Sequence, residues 1–242
     1  MTMLIEKDPI LEKFQKNLES LGIKSELNFE KKLDFEFDFL DAGILGTNKG
    51  IGSAGAFRIK ESPIDFIQIL KKQKMEKCDY ALGSHVGMGF HLHSWWKLRF
   101  FLTFPEPIEV GPLNIGTLTT IRRGRFRSKV EDFIWNGHRK LTTLPPGLVR
   151  DNVADMLYDD QNLRHMMMDC LLKERTIIIS KYSPPKKSRE RNGMVTDSKI
   201  MIQSQWKLHK DLFLDQKTID MYERIALIVK KAVYDLKYHL SR

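Results

Sequence analysis

The feature that most constrains the fold is a stripe of apolar residues near the C-terminal end of the chain. Apolar side chains recur at three- and four-residue spacing from residue 216 to about residue 240. This spacing predicts a helix of about six turns, roughly 36 Å long. The stripe consists of Ile219, Tyr222, Ile225, Ala226, Val229, Val233, Leu236 and Leu240. An apolar stripe of this length has to be covered by a sheet or by another helix.

Alternating or continuous apolar runs predict the strands of the fold. Residues 33–40 alternate apolar with acidic side chains, whereas residues 176–182 form a short continuous run typical of a strand buried on both faces. Residues 199–207 are predicted to return antiparallel to that run. Further strands are predicted at residues 86–94, 96–104 and 113–121.

Shorter helices are predicted in both halves of the chain. Residues 9–21 have helical spacing and are followed by Gly22, a residue type that favours a helix end. Residues 63–75 begin with Pro63 after Ser62, the residue types preferred at the first helical position and at the N-cap. Two more helices are predicted at residues 148–157 and 160–172, the second capped by Asp159 or Asp160.

These elements predict an α+β fold with a largely antiparallel sheet. The predicted boundary lies near Asp132. Residues 1–132 would form a β-rich subdomain with a leading helix. Residues 133–242 would form an α+β subdomain in the order strand, helix, helix, strand, strand and long helix. A single domain is the alternative.

A glycine-rich segment at residues 42–55 contains Gly50, Gly52 and Gly55 in the pattern G-x-G-x-x-G. In a dinucleotide-binding unit, such glycines open a helix whose N-terminus holds the pyrophosphate. Here the following residues alternate like a strand and lead to Pro63. The segment therefore predicts a hairpin or a mobile loop rather than a nucleotide site.

Composition bounds the class of protein and its compartment. The hydrophobic content of 42% excludes disorder of the whole chain. Cys78 and Cys170 lie far apart and outside any C-x-x-C pair, which predicts a reducing cytoplasm rather than a disulfide framework. Charged residues near the N-terminus argue against a signal peptide, and no apolar run approaches the ~20 residues of a membrane span. We therefore expect a soluble cytoplasmic protein.

Positive charge is concentrated in the middle of the chain. The net charge is +9, and residues 81–150 hold 10 Lys and Arg against 4 Asp and Glu. The densest run lies at residues 119–130, which as a single strand would have a basic and an apolar face. The basic face would be Arg123, Arg125, Arg127 and Lys129; the apolar face would be Phe126 and Val130. Such a field favours an anionic partner.

More cations follow this run, beside an Asn136-Gly137 hairpin turn and in a polar loop predicted at residues 183–198. The residues predicted to bind a polyanion are Arg122, Arg123, Arg125, Arg127, Lys129, Arg139, Lys140, Lys186, Lys187, Arg189 and Arg191. The alternative is a solvated basic face, or one paired with acidic residues of the same chain.

A candidate metal site is the pair His91 and His93, because alternate residues of a strand project to the same side. A third ligand is needed, and His85 or a carboxylate would supply it. Structural histidines are the alternative. The sequence requires no cofactor, and a divalent metal is the only candidate that it offers.

No catalytic motif of high specificity occurs, since G-x-S-x-G and local cysteine signatures are absent from the sequence. The first hypothesis is a non-enzymatic binding or scaffold protein that acts through macromolecular partners. One alternative is nucleic-acid or other polyanion binding through the arginine-rich strand, and another is a metal-dependent enzyme using the H-x-H pair. The expected partners are an anionic macromolecule, a protein or a second copy of the chain.

Overall fold

The computed structural model describes residues 9–28, 49–82, 85–106, 108, 113–123, 128–140, 152–174, 176–182, 199–204 and 213–240. The helices are α1 (Pro9–Ser20), α2 (Asn152–Asp159), α3 (Gln161–Glu174) and α4 (Gln216–Leu240). The strands are β1 (Ser25–Asn28), β2 (Lys49–Ile59), β3 (Phe66–Leu82), β4 (His85–Thr103), β5 (Asn114–Arg123), β6 (Ser128–Trp135), β7 (Ile177–Lys181) and β8 (Lys199–Ser204).

The eight strands of the described residues form one sheet in the order β1-β2-β3-β4-β8-β7-β5-β6. Every pairing between neighbours is antiparallel. The predicted α+β class with a largely antiparallel sheet is therefore confirmed. The two strands β7 and β8 lie between β4 and β5, so the sheet combines strands from both sides of the predicted boundary near Asp132. That boundary stays a prediction.

The long C-terminal helix α4 has the predicted bounds and buries the predicted stripe. Six of its apolar positions are at most 2% exposed, namely Ile219, Tyr222, Ile225, Ala226, Val229 and Val233. The side chains of Leu236 and Leu240 lie outside the described residues. Tyr222 stacks on Phe100 of β4, with ring centroids 3.9 Å apart and planes inclined by 23°. The helix thus packs on the sheet at this contact, and it also lies against α2 and α3, so both of the coverings that its length allows are present.

Helix α1 packs on the same core through Leu11, Phe14 and Leu18, all fully buried. It ends as predicted at Gly22, whose φ of 71° belongs to the left-handed region that glycine adopts without strain. The backbone N–H of Gly22 donates to Glu19 O at 2.9 Å, and the next N–H reaches back to Leu18 O at 2.9 Å. This pair of bonds satisfies carbonyl groups that the helix end would otherwise leave without partners.

The helix predicted at residues 63–75 is wrong, because the chain enters strand β3 at Phe66. Ile67 and Ile69 are buried in the main core, while Phe66 is buried on the opposite face of the sheet beside Phe101. A run that is apolar on both faces has no visible two-residue period, so its pattern does not distinguish a strand from a helix.

Contacts with α4 hold the turn that precedes β3. Ser62, predicted as a helix cap, accepts a hydrogen bond from the N–H of Ile64 at 3.1 Å and donates to Glu223 Oε1 at 2.7 Å. The neighbouring Asp65 pairs with Lys230 at 3.0 Å. Ser62 therefore acts as a turn residue rather than as a helix cap, and α4 supplies the side-chain partners of Ser62 and Asp65.

Of the hairpin or mobile loop predicted for the glycine-rich segment, the mobile loop is wrong from Lys49 onwards, because β2 begins there and pairs antiparallel with the next strand, β3. Residues 42–48 lie outside the described residues. Gly50, Gly52 and Gly55 pair with β3, so none of them opens a helix and the phosphate-binding arrangement is absent from this strand. A Cβ atom on Gly55 would lie 2.9 Å from Leu11 Cδ2. Glycine at this position thus lets α1 approach the sheet closely.

The two strands predicted at residues 86–94 and 96–104 are one strand, β4, which runs without interruption from His85 to Thr103. The predicted β7 and β8 pair is confirmed as antiparallel, and the two helices near residues 148–172 appear as α2 and α3. The predicted strand at residues 33–40 and the loop at 183–198 lie outside the described residues. Among the described helices, none has the length and apolar character needed to cross a membrane.

Candidate nucleic-acid interface

The basic run at residues 119–130 is not the single strand that its alternation suggested. Strand β5 ends at Arg123 and β6 begins at Ser128, and the two strands pair antiparallel. Arg122 is the register partner of Lys129. The predicted alignment of Lys129 with Arg123 on one strand face is therefore wrong, because the chain reverses direction between them. Residues 124–127, which include Arg125 and Arg127, lie outside the described residues.

Helix α3 packs against the β5–β6 hairpin. Arg164 of α3 forms an ion pair with Asp132 of β6 and donates from Nη1 to the carbonyl oxygen of Phe133 at 3.4 Å. Its guanidinium carbon also lies 5.0 Å from the ring centroid of Phe133 and 4.6 Å from that of Tyr158. Cation–π contacts of this kind add to the packing. The hairpin is thus fixed to the helical layer at one end.

The predicted Asn136-Gly137 turn follows β6. Gly137 has a φ of 85°, and the N–H of His138 donates to Trp135 O at 3.1 Å. The N–H of Asn136 donates to Gly116 O at 2.8 Å, which ties the turn to β5. Residues 141–144, which would form the second strand of a hairpin at this turn, lie outside the described residues, so only the turn itself is confirmed.

Arg139 and Lys140 have partners on helix α2. The backbone N–H of Arg139 donates to Asp155 Oδ1 at 2.8 Å, and its Nη2 donates to Asp159 Oδ2 at 2.6 Å. Lys140 Nζ lies 4.6 Å from the ring centroid of Tyr158. Arg139 thus fits the alternative of pairing with acidic residues of the same chain, whereas Lys140 contacts an aromatic ring. Lys129, in contrast, is exposed on β6.

His138 is a buried residue that the sequence did not single out. Its side chain is 0% exposed, its Nδ1 accepts a hydrogen bond from the N–H of Lys140 at 3.1 Å, and its Nε2 lies 3.4 Å from Asp155 Oδ1. Its ring lies 4.2 Å from that of Tyr158. Burial lowers the pKa of His138 and outweighs the opposite effect of Asp155 and Asp159. The sequence signal for this site is the four-residue spacing of Asp155 and Asp159 on α2, whose charges act on His138.

The lowered pKa of His138 predicts a pH-dependent stability. An unfolded histidine takes up a proton near pH ~6.5, whereas His138 in the folded protein does so only at lower pH. The free energy of unfolding should therefore be highest above pH ~6.5 and fall on acidification, by up to about 1.4 kcal/mol per pH unit for one proton. Urea unfolding between pH 7.5 and 5 would measure this slope. In His138→Leu the slope should be shallower, and an unchanged slope would contradict the assignment.

One row of register partners crosses the middle of the sheet from β3 to β5. This row fixes the relative direction of the β3–β4 and β5–β6 hairpins. Gln68 of β3 pairs with Arg99 of β4, which pairs with Gln203 of β8. Gln203 pairs with Ile178 of β7, which pairs with Gly116 of β5. Arg99 Nε also donates to Gln203 Oε1 at 2.8 Å. Since four successive pairings are antiparallel, β3 and β5 run in the same direction away from this row.

Both hairpins therefore extend from the same end of the sheet. Lys74 on β3 and Arg122 on β5 each lie six residues beyond the row, roughly 20 Å at ~3.3 Å per residue. Within the described residues, β8 ends at Ser204 and β7 begins at Ile177, one residue beyond the row. At this row, β4 and β5 are three strand spacings apart, which corresponds to roughly 14 Å. The β3–β4 and β5–β6 hairpins, called the two arms below, thus flank the described ends of β7 and β8.

The pairing in these arms brings like charges together. Lys74 of β3 is the register partner of Lys49 of β2. On the other arm, at an equal distance from the central row, Arg122 is the register partner of Lys129. Like charges directly across a strand pair are destabilising. Closer to the row, Trp96 and Trp95 of β4 are the register partners of Lys71 and Lys72. One end of the sheet therefore combines cations with neighbouring aromatic residues.

The three histidines of the predicted metal site all lie on β4, but they do not lie together. His85 is six residues from His91 on a continuous strand, which corresponds to roughly 20 Å. His85 therefore does not complete a site with His91 and His93. Among the side chains that the structure describes, no cluster of three or more His, Cys, Asp or Glu could hold a metal ion.

No protein-family model matches the chain, and neither the curated proteins nor the solved structures contain a match.

Proposed function

We propose that this protein is a non-enzymatic binding protein for single-stranded nucleic acid, which it holds between the β3–β4 and β5–β6 arms. Two pairs of like-charged register partners carry the proposal, Lys49 with Lys74 and Arg122 with Lys129. Both pairs lie about six residues beyond the central row, on two arms that extend from the same end of the sheet.

Electrostatics supports an anionic ligand at this end. Two like-charged pairs cost folding free energy in the unbound protein, and a phosphate backbone placed between the arms would remove that repulsion. Binding would also release counterions condensed on the nucleic acid, the main source of affinity in sequence-independent complexes. The net charge of +9 provides a field of the required sign.

The aromatic residues favour a single strand over a duplex. Trp95 and Trp96 adjoin lysines in the strand register, and sites for single strands combine a cationic groove with aromatic side chains on which bases stack. Arg139 and Lys140 play a different part in the proposal. Their contacts with α2 make them supports of the hairpin rather than ligands of phosphate.

The test is equilibrium binding of a fluorescent single-stranded oligonucleotide at several salt concentrations. We expect Lys74→Ala, Arg122→Ala and Lys129→Ala together to weaken binding at least tenfold at low salt. If these residues make three phosphate contacts, the slope of log K against log salt should fall by about 2. A matched control is Lys13→Ala, Lys16→Ala and Lys231→Ala, which removes the same charge from exposed helix positions and should weaken binding only slightly.

Two outcomes would overturn the proposal. One is the absence of salt-dependent binding by the wild-type protein at low salt. The other is an equal loss of binding in the variant of the two arms and in the helix-lysine control, which would assign the affinity to net charge alone. Competition by polyglutamate as effective as that by the oligonucleotide would instead indicate an acidic protein as the partner.

A further inference from the structure

Strand β1 forms one edge of the sheet among the described strands. On its inner side Ser25 is the register partner of Ile59 in β2. The N–H of Ile59 donates to Asp65 O at 2.9 Å, on the side away from β1. The N–H of Lys60, the next residue, donates to Lys24 O at 2.9 Å. Since hydrogen-bonded and non-hydrogen-bonded pairs alternate along antiparallel strands, the backbone N–H and C=O of Ser25 point outward from the edge of the sheet.

The outer side of β1 is open within the part of the chain that the structure describes. No described group bonds to the outward N–H or C=O of Ser25, and its buried Oγ has no hydrogen-bond partner there. A groove of about 450 Å³ lies beside β1, lined by the strand itself, by Glu19 and Gly22 at the end of α1, and by Lys60. An edge strand with unpaired backbone groups is a template for a further strand.

The opposite edge of the described sheet, β6, is protected at Phe133. The N–H of Phe133 donates to Asp132 Oδ1 at 2.8 Å, and its carbonyl oxygen accepts from Arg164 Nη1 at 3.4 Å. Polar side chains thus occupy backbone groups of β6, and charged residues on an edge strand discourage its pairing with another chain. Of the two edges, β1 is therefore the one suited to accept a strand.

We propose that β1 pairs antiparallel with β1 of a second copy of this chain, with the two Ser25 residues directly opposite each other. In this register Lys24 is opposite Glu26 of the partner subunit, and Glu26 is opposite the partner's Lys24. The side chains of Lys24 and Glu26 are 64% and 58% exposed, and the strand period places both on one face. A two-fold axis through the Ser25 pair makes the two contacts identical.

The charges of β1 select this register among those that two-fold symmetry allows. An axis beside Lys24 or beside Glu26 would place two like charges directly opposite each other, which is destabilising. An axis beside Ser25 instead gives two contacts between opposite charges. Within one chain Lys24 is also joined by its backbone to Lys60, so a carboxylate from the second copy would reduce the repulsion between these two cations.

The backbone and the serine side chain also gain partners in this register. The outward N–H and C=O of each Ser25 would exchange hydrogen bonds with the partner's Ser25. The two serine side chains would lie on the same face with Cβ atoms about 4.5–5.5 Å apart, so rotation about χ1 would bring the hydroxyls within reach of each other. The pairing covers only residues 23–27 of each copy, against the ~20–30 residues of a standard interface, so we expect a reversible dimer.

Dimerisation at β1 is independent of the proposed nucleic-acid site. Asn28 belongs to the central row, because it pairs with Ala56, which pairs with Gln68. Ser25 lies three residues from this row, on the side away from Lys74 and the arms. The arms would therefore stay accessible in the dimer, and failure of one proposal would leave the other intact.

The experiment is sedimentation velocity of the full chain over a concentration series, which would show a monomer–dimer equilibrium. Lys24→Glu and Glu26→Lys should each weaken self-association at least about tenfold, because each places like charges opposite each other at both contacts. Lys24→Glu combined with Glu26→Lys keeps opposite charges together and should restore the wild-type dissociation constant. The two single variants, mixed, should associate with each other more tightly than either does with itself.

Two further variants separate the β1 edge from general effects. Ser25→Pro removes the outward N–H, which no bond within the described chain uses, and should abolish dimerisation in a folded protein. Lys13→Glu makes the same change of charge at an exposed position of α1 and should leave the dissociation constant unchanged. Circular dichroism would establish that each variant is folded.

Four results would overturn the proposal. The first is wild-type protein that stays monomeric at the highest soluble concentration, which would leave a strand of another protein as the occupant of this edge. The second is a folded Ser25→Pro variant that dimerises like wild type. The third is an equal effect of Lys13→Glu and Lys24→Glu, and the fourth is a failure of the two single charge variants to associate with each other.

Discussion

Replacing Phe100 by alanine is expected to lower the free energy of unfolding by about 3–5 kcal/mol. Phe100 is 0% exposed and stacks on Tyr222, which is 1% exposed, with a centroid separation of 3.9 Å. Removing the ring leaves a cavity between β4 and α4, at the contact that joins the sheet to its longest helix. Denaturant unfolding would measure the change, and the melting temperature should fall by roughly 6–20 °C for a chain of this size.

Two controls make the Phe100 prediction specific. Phe100→Leu retains most of the apolar volume and should cost clearly less than Phe100→Ala. Leu227→Ala on the same helix changes a side chain that is 50% exposed and should alter the free energy of unfolding by no more than about 0.5 kcal/mol. A Phe100→Ala variant as stable as Leu227→Ala would mean that α4 is not seated on β4 at this position.

Replacing Asn17 by alanine is expected to lower the free energy of unfolding by about 2–6 kcal/mol, although the side chain is small and polar. Its Nδ2 donates to the carbonyl oxygen of Leu214 at 3.0 Å, and its Oδ1 accepts from the N–H of Leu214 at 2.8 Å. Asn17 is 9% and Leu214 is 4% exposed. Alanine would leave both backbone groups of Leu214 buried without these partners, and each such group costs about 1–3 kcal/mol.

Single-atom and neighbouring changes test the Asn17 prediction. In Asn17→Asp one carboxylate oxygen still accepts from the N–H of Leu214, but the other faces its carbonyl oxygen. That variant should therefore also be less stable than wild type at neutral pH. Lys16→Ala, at an exposed position of the same helix, should have little effect. Equal stability of Asn17→Ala and Lys16→Ala in urea unfolding would refute the role of this amide.

Helical elements were predicted well where one face is apolar and the other polar. The start of α4 was predicted at Gln216 and its end at about residue 240, which agrees with the observed bounds, and α1 was predicted to within one residue at its end. Of the two residues predicted as the N-cap of α3, Asp159 and Asp160, the cap is Asp160, since its Oδ1 accepts from the N–H of Leu163 at 2.7 Å. The structure adds a partner that no local pattern contains, because Arg224 of α4 donates to the other oxygen of Asp160.

Strands were predicted poorly where both faces are covered or where glycine interrupts the pattern. Phe66, Ile67 and Ile69 are all buried, so β3 had the apolar content of a helix face without the alternation of a strand. Gly55 belongs to a paired strand because Leu11 of α1 lies against it. In both places the burial that decides the conformation comes from residues distant in the chain.

The candidate interface shows the same division between local and distant information. The density of arginine around Arg122 was visible in the sequence, whereas its pairing with Lys129 across a reversal of the chain was not. Arg139 belonged to the same basic region, yet its partners Asp155 and Asp159 come from α2. Charge type is a local property, but whether a charge meets a partner depends on the fold.

The sequence by itself determined the amphipathic helices, the α+β class and the excess of positive charge, because each follows from neighbouring side chains and their period. The tertiary structure alone decided the strand identity of β3, the joining of β4 into one strand and the row from Gln68 to Gly116 that sets the two arms at one end of the sheet. The physical reason is that antiparallel pairing and burial on both faces depend on residues far apart in the chain, whose register no local periodicity specifies.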